Sequence, residues 1–277
     1  MYFRDPQQRE RFERQGYIVV DFLDEEDVVS LRQLWHDHDD PILAMPFNVT
    51  IMSGNLAYRE RIHNEISKIV APRQERILHR SRFCYGSLVT KQSSHAGIVP
   101  LHQDPSFIDE RDADTYNFWV ALQDVNETNG CLHVVPGSHR LNRYPRSNGA
   151  FFSFPYRDMH EIIVRDGLIA VPVRRGQAVI TYQTLFHMSY PNVTPHPRLA
   201  VSALAVPASS ALHHYFQPFG VWDAPLEVFQ VDDDFFLRHT MNDRPTGVPK
   251  CGRIPYRVNP LTLENFSEAL ELAGHGV

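Results

Sequence analysis

At 277 residues, with 43 % hydrophobic and 22 % charged side chains, the chain is long enough to bury one large core and has the composition of a globular protein rather than a disordered one. A formal charge of −6 and the lack of any Lys/Arg block argue against a nucleic-acid partner. No apolar run approaches the ~18 residues that span a bilayer, and the polar start from Met1 to Arg9 has no apolar signal core. Cys84, Cys131 and Cys251 are odd in number and lack C-x-x-C spacing, which disfavours a disulfide framework and a structural zinc site. These features describe a soluble protein of a reducing cytoplasm that meets neither membrane nor nucleic acid.

In chain order, residues 6–15 are polar and helix-prone, and Gly16 separates them from a short buried strand at Tyr17-Ile18-Val19-Val20. The acidic run Asp24 to Asp27 suits a helix N-terminus, and Val28, Leu31, Leu34 and Trp35 recur at helical spacing, so a helix is predicted over about 25–39. Residues 41–55 read as loop. A second helix over 57–70 carries Ile62, Ile66 and Ile69 on one stripe.

From Arg82 the texture changes to β. Strands are predicted over 82–91, 98–104, 116–122, 131–135, 168–173, 177–182, 186–189 and 198–206, with turns at 92–97, 126–130, 136–140 and 174–176. Residues 141–167 read as irregular and basic, and the stretch after 207 as loop-rich until a terminal helix near 261–273. Many short strands between helical ends predict a mainly β fold with helical supports: a double-stranded β-helix, or jelly roll, of cupin type. The expected organisation is one domain over 1–277, with helical support over 1–80, a jelly-roll core over 81–207 and a substrate-covering region over 208–277.

The chemistry centres on Pro100-Leu101-His102-Gln103-Asp104. Residues two apart on a strand share a face, so His102 and Asp104 would look into the same space. They supply two members of a 2-His-1-carboxylate triad, a ligand set that leaves positions open on Fe(II). His187 is the candidate third member; the 85-residue gap is no objection where a closed sheet brings distant strands together. Arg198, eleven residues further on, could hold a carboxylate of 2-oxoglutarate by a bidentate pair. Ser189 would share the inward face with His187 and add a hydroxyl, and Lys91 is a candidate to approach the same co-substrate.

Taken together these residues resemble the phytanoyl-CoA dioxygenase family of Fe(II)/2-oxoglutarate oxygenases. The resemblance runs from about residue 10 to 206. It is carried by Pro100 to Asp104; by Trp119-Val120-Ala121-Leu122 with Asn129-Gly130-Cys131-Leu132 and Val135-Pro136-Gly137-Ser138-His139-Arg140; by His187-Met188-Ser189; and by Arg198. It implies that His102, Asp104 and His187 are the catalytic iron ligands and that Arg198 with Ser189 anchors 2-oxoglutarate. It also implies that Gln103 and Trp119 lie near metal or co-substrate, with Lys91 a looser match. Related halogenases replace the carboxylate by a small residue; Asp104 keeps it, which points to oxidation rather than halogenation.

The function these readings imply is a dioxygenase using Fe(II), 2-oxoglutarate and O2, with ascorbate helpful. It would hydroxylate or oxidatively dealkylate an unactivated C–H of a small polar metabolite or natural-product intermediate and release succinate and CO2. An acyl-CoA or carrier-linked acyl hydroxylase of the same family is the alternative; a non-catalytic cupin-like metal-binding or sensing protein and a metal-dependent hydrolase are alternatives of other classes. The arginines at 140, 143, 146 and 157 suggest an anionic substrate, and the acidic run Asp232-Asp233-Asp234 a cationic one. The oligomeric state is not written in the sequence.

Overall fold

The computed structural model describes residues 1–37, 39–147, 154–218, 221 and 223–275. The chain opens with β1 (Tyr2–Phe3) and α1 (Pro6–Gln15). Asp5 caps α1 by accepting from the backbone N–H groups of Gln7 and Gln8, and Gly16 ends it in the left-handed region at φ 85°. β2 (Tyr17–Asp21) leads into α2 (Glu25–His36), which starts at a capping box between Asp24 and Asp27. Then follow β3 (Phe47–Val49), α3 (Leu56–Ile77), β4 (Leu78–His79), β5 (Ser81–Lys91), β6 (Val99–His102), β7 (Tyr116–Ala121) and β8 (Leu132–Val134). The second half contains α4 (His160–Ile162), β9 (Ile169–Val171), β10 (Gln177–Tyr182), β11 (His187–Ser189) and β12 (Arg198–Pro207). It ends with β13 (Leu212–Phe216), β14 (Leu226–Val231), α5 (Phe235–Arg238), β15 (Lys250–Ile254) and α6 (Leu263–Leu272).

Two antiparallel sheets form the core. The larger has strand order β2-β10-β7-β12-β5-β3 and the smaller β6-β11-β8-β9. Sequence neighbours are repeatedly separated in the sheets, which is the wiring of a double-stranded β-helix. β12, the longest partner of β5, presents Arg198 and Ser202 to the cavity between the sheets, while Leu199 and Val201 are buried in the apolar core. That core is backed by α3, whose Ile62, Ile66 and Val70 are fully buried with Leu88, Phe118 and Val120. Gly86 lets α3 approach closely, since a Cβ there would collide with Ile66. The smaller sheet is backed by α6, whose Phe266 and Leu270 pack with Leu101, Val135, Phe186 and Met188.

The structure departs from the sequence reading in four places. α3 continues from the predicted end at 70 to Ile77 with Pro72 inside it. Tertiary contacts outweigh a proline penalty of ~3 kcal/mol: Val70 is fully buried in the core and Arg73 bridges to Asp24 (2.7 Å) and Asp27 across to α2. The stretch after 207 contains a third sheet, β13-β14-β15, rather than loop. Prolines at 218, 225, 245 and 249 masked it as breakers, yet each falls between strands. β3 pairs with β5 inside the expected 41–55 loop, because an unpaired long strand recruits whatever edge is near. Residues 157–167 form helical turns where irregular chain was expected; their neighbours 148–153 lie outside the described residues.

The turn Pro136-Gly137 joins these layers. Gly137 has φ 79°, its N–H donates to the Gln15 carbonyl (2.9 Å), and a Cβ would collide with the carbonyl of Ala269 in α6. Gly137→Ala is therefore expected to cost at least ~2 kcal/mol through left-handed strain and displacement of α6, read as a lower urea midpoint with an unchanged m-value.

Candidate active site

The two halves of the smaller sheet bring the predicted triad together. β6 and β11 are antiparallel neighbours with His102 directly opposite His187. The imidazole centroids are 4.2 Å apart. Each ring is oriented by its own strand: His102 Nδ1 donates to the carbonyl of Pro100 (2.8 Å) and His187 Nδ1 to that of Leu185 (3.0 Å). A carbonyl can only accept, so both Nδ1 atoms carry a proton, and Nε2 is the nitrogen of each ring left to offer a lone pair. These Nε2 atoms lie 3.7 and 3.8 Å from Asp104 Oδ1. One donor atom from each of the three residues falls within 4.8 Å of the others, in a buried position.

The electrostatics suit a metal. Burial, and then the neighbouring His102, push the His187 imidazolium down to about 4, so the ring is neutral at neutral pH. Burial opposes ionisation of Asp104, but His187, His102 and Arg146 together hold its carboxyl below the ordinary range. Two imidazoles and one carboxylate on a single face, with no thiolate, form an N/O donor set of the kind that holds Fe(II) with positions open.

Arg198 lies in the same cavity at the start of β12, 1 % exposed. Its guanidinium stacks on Trp119, 4.9 Å from the ring centroid. Its Nε and Nη1 find no hydrogen-bond partner. Burial lowers its pKa to about 9, which leaves it cationic at neutral pH. A buried cation whose donors are idle costs several kcal/mol unless an anion completes it. Ser189, also buried, and Trp119 line the cavity with it.

Lys91 and Gln103 stand elsewhere than the cavity wall. Lys91 Nζ donates to the carbonyls of Gly97 (2.7 Å), Ser189 (3.0 Å) and Tyr190 (2.5 Å). Burial and Arg198 push it down to about 6, yet three carbonyl acceptors need three protons, which only the ammonium supplies. The side chain thus ties the approach to β6 to the end of β11. Gln103 faces away from the cavity: Nε2 donates to the carbonyls of Asn142 (2.9 Å) and Thr184 (2.6 Å), and Oε1 accepts from Asn142 Nδ2 (3.0 Å). The arginines of the basic stretch are also engaged. Arg140 donates to the carbonyls of Glu13 and Arg14, Arg143 pairs with Asp114 (2.7 Å), and Arg146 pairs with buried Glu110.

Sequence reading passed over several cavity residues, among them Phe47, Tyr85, Asn117, Gln183, Ser202 and Met241. Period-two alternation could have found two of them: Asn117 is two before Trp119, and Ser202 is four after Arg198, so both share the inward face. Ser202 Oγ donates to Asn117 Oδ1 (2.8 Å). Gln183 and Met241 lie outside strands and gave no such signal.

Comparison with known sequences agrees with this geometry. The profile described as phytanoyl-CoA dioxygenase (PhyH) matches residues 12–200, which take in the triad and Arg198. The chain belongs to the phytanoyl-CoA dioxygenase family. Phytanoyl-CoA dioxygenase 1 of Oryza sativa subsp. japonica is 31 % identical over 120 residues, covering 41 % of this chain and 41 % of the relative, so the match spans about two fifths of that protein's length. Among solved structures, the epimerase SnoN in complex with Fe3+, alpha ketoglutarate and nogalamycin RO aligns with TM-score 0.56 at 22 % identity, covering 92 % of this chain and 94 % of that one. EctD from S. alaskensis with 2-oxoglutarate and 5-hydroxyectoine aligns with TM-score 0.52 at 21 % identity, covering 78 % and 80 %. The likeness to these two structures establishes the shared jelly-roll fold.

Lys91→Met keeps the chain length but removes three donors and leaves three buried carbonyls unmet. It is expected to destabilise the protein by ~3 kcal/mol, seen as a lowered denaturation midpoint.

Proposed function

We propose that this chain is an Fe(II)- and 2-oxoglutarate-dependent oxygenase that oxidises a C–H bond of a small molecule. In this reading His102, Asp104 and His187 hold the iron, and Arg198 with Ser189 seats the distal carboxylate of 2-oxoglutarate. The observation that carries it is the buried, idle Nε and Nη1 of Arg198 in the same cavity as the two Nε2 lone pairs and the Asp104 carboxylate. A metal site alone would not need a buried guanidinium; a metal site that takes a chelating dicarboxylate does. The Fe3+ and alpha ketoglutarate in SnoN, and the 2-oxoglutarate in EctD, support the same pairing on this fold.

Bound there, Fe(II) and 2-oxoglutarate would supply O2 activation, with oxidative decarboxylation to succinate and CO2 coupled to oxidation of a C–H bond. The chain's own part is orientation and exclusion of water. The carbonyls of Pro100 and Leu185 fix the tautomer and tilt of the two imidazoles, as outer partners do for metal-ligating histidines. Asp104 would supply the carboxylate ligand to the metal, the group whose presence favours oxidation over halogenation. Trp119 holds the guanidinium plane from one side. Met241, from the stretch after β12, contributes to the cavity wall, which supports a covering role for that stretch in this reading.

His187→Ala is expected to abolish both substrate-stimulated succinate release and the visible absorption that forms when Fe(II) and 2-oxoglutarate are added anaerobically; full retention of either would refute the ligand assignment. Arg198→Met is expected to raise the Kd for 2-oxoglutarate about a hundredfold while Fe(II) binding by calorimetry stays within a few-fold. A 2-oxoglutarate Kd unmoved by that change would remove Arg198 from the co-substrate site.

A further inference from the structure

The register of the larger sheet divides the cavity into two ends. Arg198 opens β12, and Ala205 lies seven residues on, about 23 Å along the strand. Leu204, beside Ala205, is opposite Tyr85 on β5 and opposite Asn117 on β7. Tyr182 is opposite Tyr116, and the next residue, Gln183, donates its N–H to the carbonyl of Thr115 (3.1 Å). Tyr85, Asn117 and Gln183 therefore gather at the end remote from Arg198. A five-carbon dicarboxylate seated on Arg198 ends at the triad, which leaves the space beyond it, toward Tyr85, Asn117 and Gln183, to another ligand.

Gln183 is the distinctive group at this end. It lines the cavity and is 2 % exposed, yet its side-chain Oε1 has no hydrogen-bond partner. Its backbone is held on both sides, by Thr115 and by the Asp104 N–H, which donates to the Gln183 carbonyl (3.1 Å). The side chain thus starts from a fixed point adjoining the triad carboxylate. The wall beside Tyr85 is apolar: Ile51 and Met241 line the cavity and pack in one cluster with Tyr85 and Leu204. Among the described residues, Arg198 is the one Lys or Arg that lines the cavity and Asp104 the one Asp or Glu. Arg140, Arg143 and Arg146 of the basic stretch are engaged by Glu13, Arg14, Asp114 and Glu110.

We infer that the oxidised substrate is a neutral, largely hydrocarbon molecule bearing a hydroxyl, and that Gln183 is the specificity-determining residue that hydrogen-bonds this hydroxyl beside Asp104. An amide both donates and accepts, which matches an alcohol; an anion or a phosphorylated thioester finds no cation at this end. A site built around a buried polar group discriminates against a ligand that leaves the group unmet. The inference rests on the reading of Arg198 as the seat of 2-oxoglutarate, because that leaves the remote end to the substrate.

The test uses binding rather than turnover, on the full chain without added metal or co-substrate and again with Fe(II) and 2-oxoglutarate under argon. The probes are citronellol, its hydrocarbon analogue 2,6-dimethyloctane, citronellate and citronellyl-CoA, followed by fluorescence and by competition. Citronellol should bind at least tenfold more tightly than each of the others. Gln183→Leu should remove about tenfold from the citronellol affinity, roughly one neutral hydrogen bond, without weakening 2,6-dimethyloctane. Gln183→Met, checked for an unchanged melting temperature, should behave alike. Tighter binding of citronellate or its CoA ester, no binding of citronellol at millimolar concentration, or an unchanged alcohol-to-hydrocarbon ratio in both variants would overturn the inference. Failure of 2-oxoglutarate to bind, with the alcohol preference intact, would instead count against the proposed oxygenase function.

Discussion

The site depends on one cross-strand register, that of β6 against β11. With His187 opposite His102, both imidazoles emerge on the cavity face beside Asp104. Side chains alternate along a strand, so a slip of one residue would turn one ring toward α6 and dissolve the triad. Several contacts defend the register. β11 is held on its other edge by β8. Leu101 and Met188, neighbours of the two histidines, point the opposite way into the apolar layer with Phe266 and Leu270. Lys91 then ties Gly97, just before β6, to Ser189 and Tyr190 at the end of β11. The same alternation that buries leucine and methionine behind the sheet therefore places the ligands in front of it.

The second constraint works against stability. A guanidinium 1 % exposed with two idle nitrogens is a cost to the unliganded fold. Stacking on Trp119 returns only ~1–2 kcal/mol of it. The β12 strand can carry that cost because its other residues are buried in ladders with both β5 and β7. An anion completing Arg198 removes a penalty already present in the empty fold, so binding and stability are linked there.

Charge on the outside of the molecule has a different purpose. The basic stretch and the acidic run at 232–234 look, in one dimension, like binding surfaces of opposite sign. In three dimensions Arg143 and Arg146 meet Asp114 and Glu110, while Asp232 pairs with Arg238 (2.6 Å) and Asp233 with Arg82 (2.9 Å). Each cluster is answered from within the chain, and this shifts the argument about substrate to the apolar cavity, where the groups lacking partners are few and specific.

The local patterns legible in sequence were the H-x-D pair His102 and Asp104, although β6 ends at His102 and leaves Asp104 just beyond it, together with the strand opening at Arg198, the acidic helix start at Asp24 and the Pro136-Gly137 turn. These depend on period and backbone chemistry, which short stretches of chain carry by themselves. Sequence also suggested His187 as the third member, but only strand pairing places it opposite His102. It did not distinguish Lys91 and Gln103, whose polar ends are taken by backbone carbonyls, from residues that face the cavity. It overlooked β13 to β15, because a sheet forms by pairing and its prolines lie harmlessly between strands. Gln183, just beyond β10, is held by backbone hydrogen bonds to Thr115 and Asp104, which only the folded chain brings to it. Which polar atoms are left without partners is a property of the whole packed chain, and so the tertiary structure alone decided where this protein is prepared to meet a ligand.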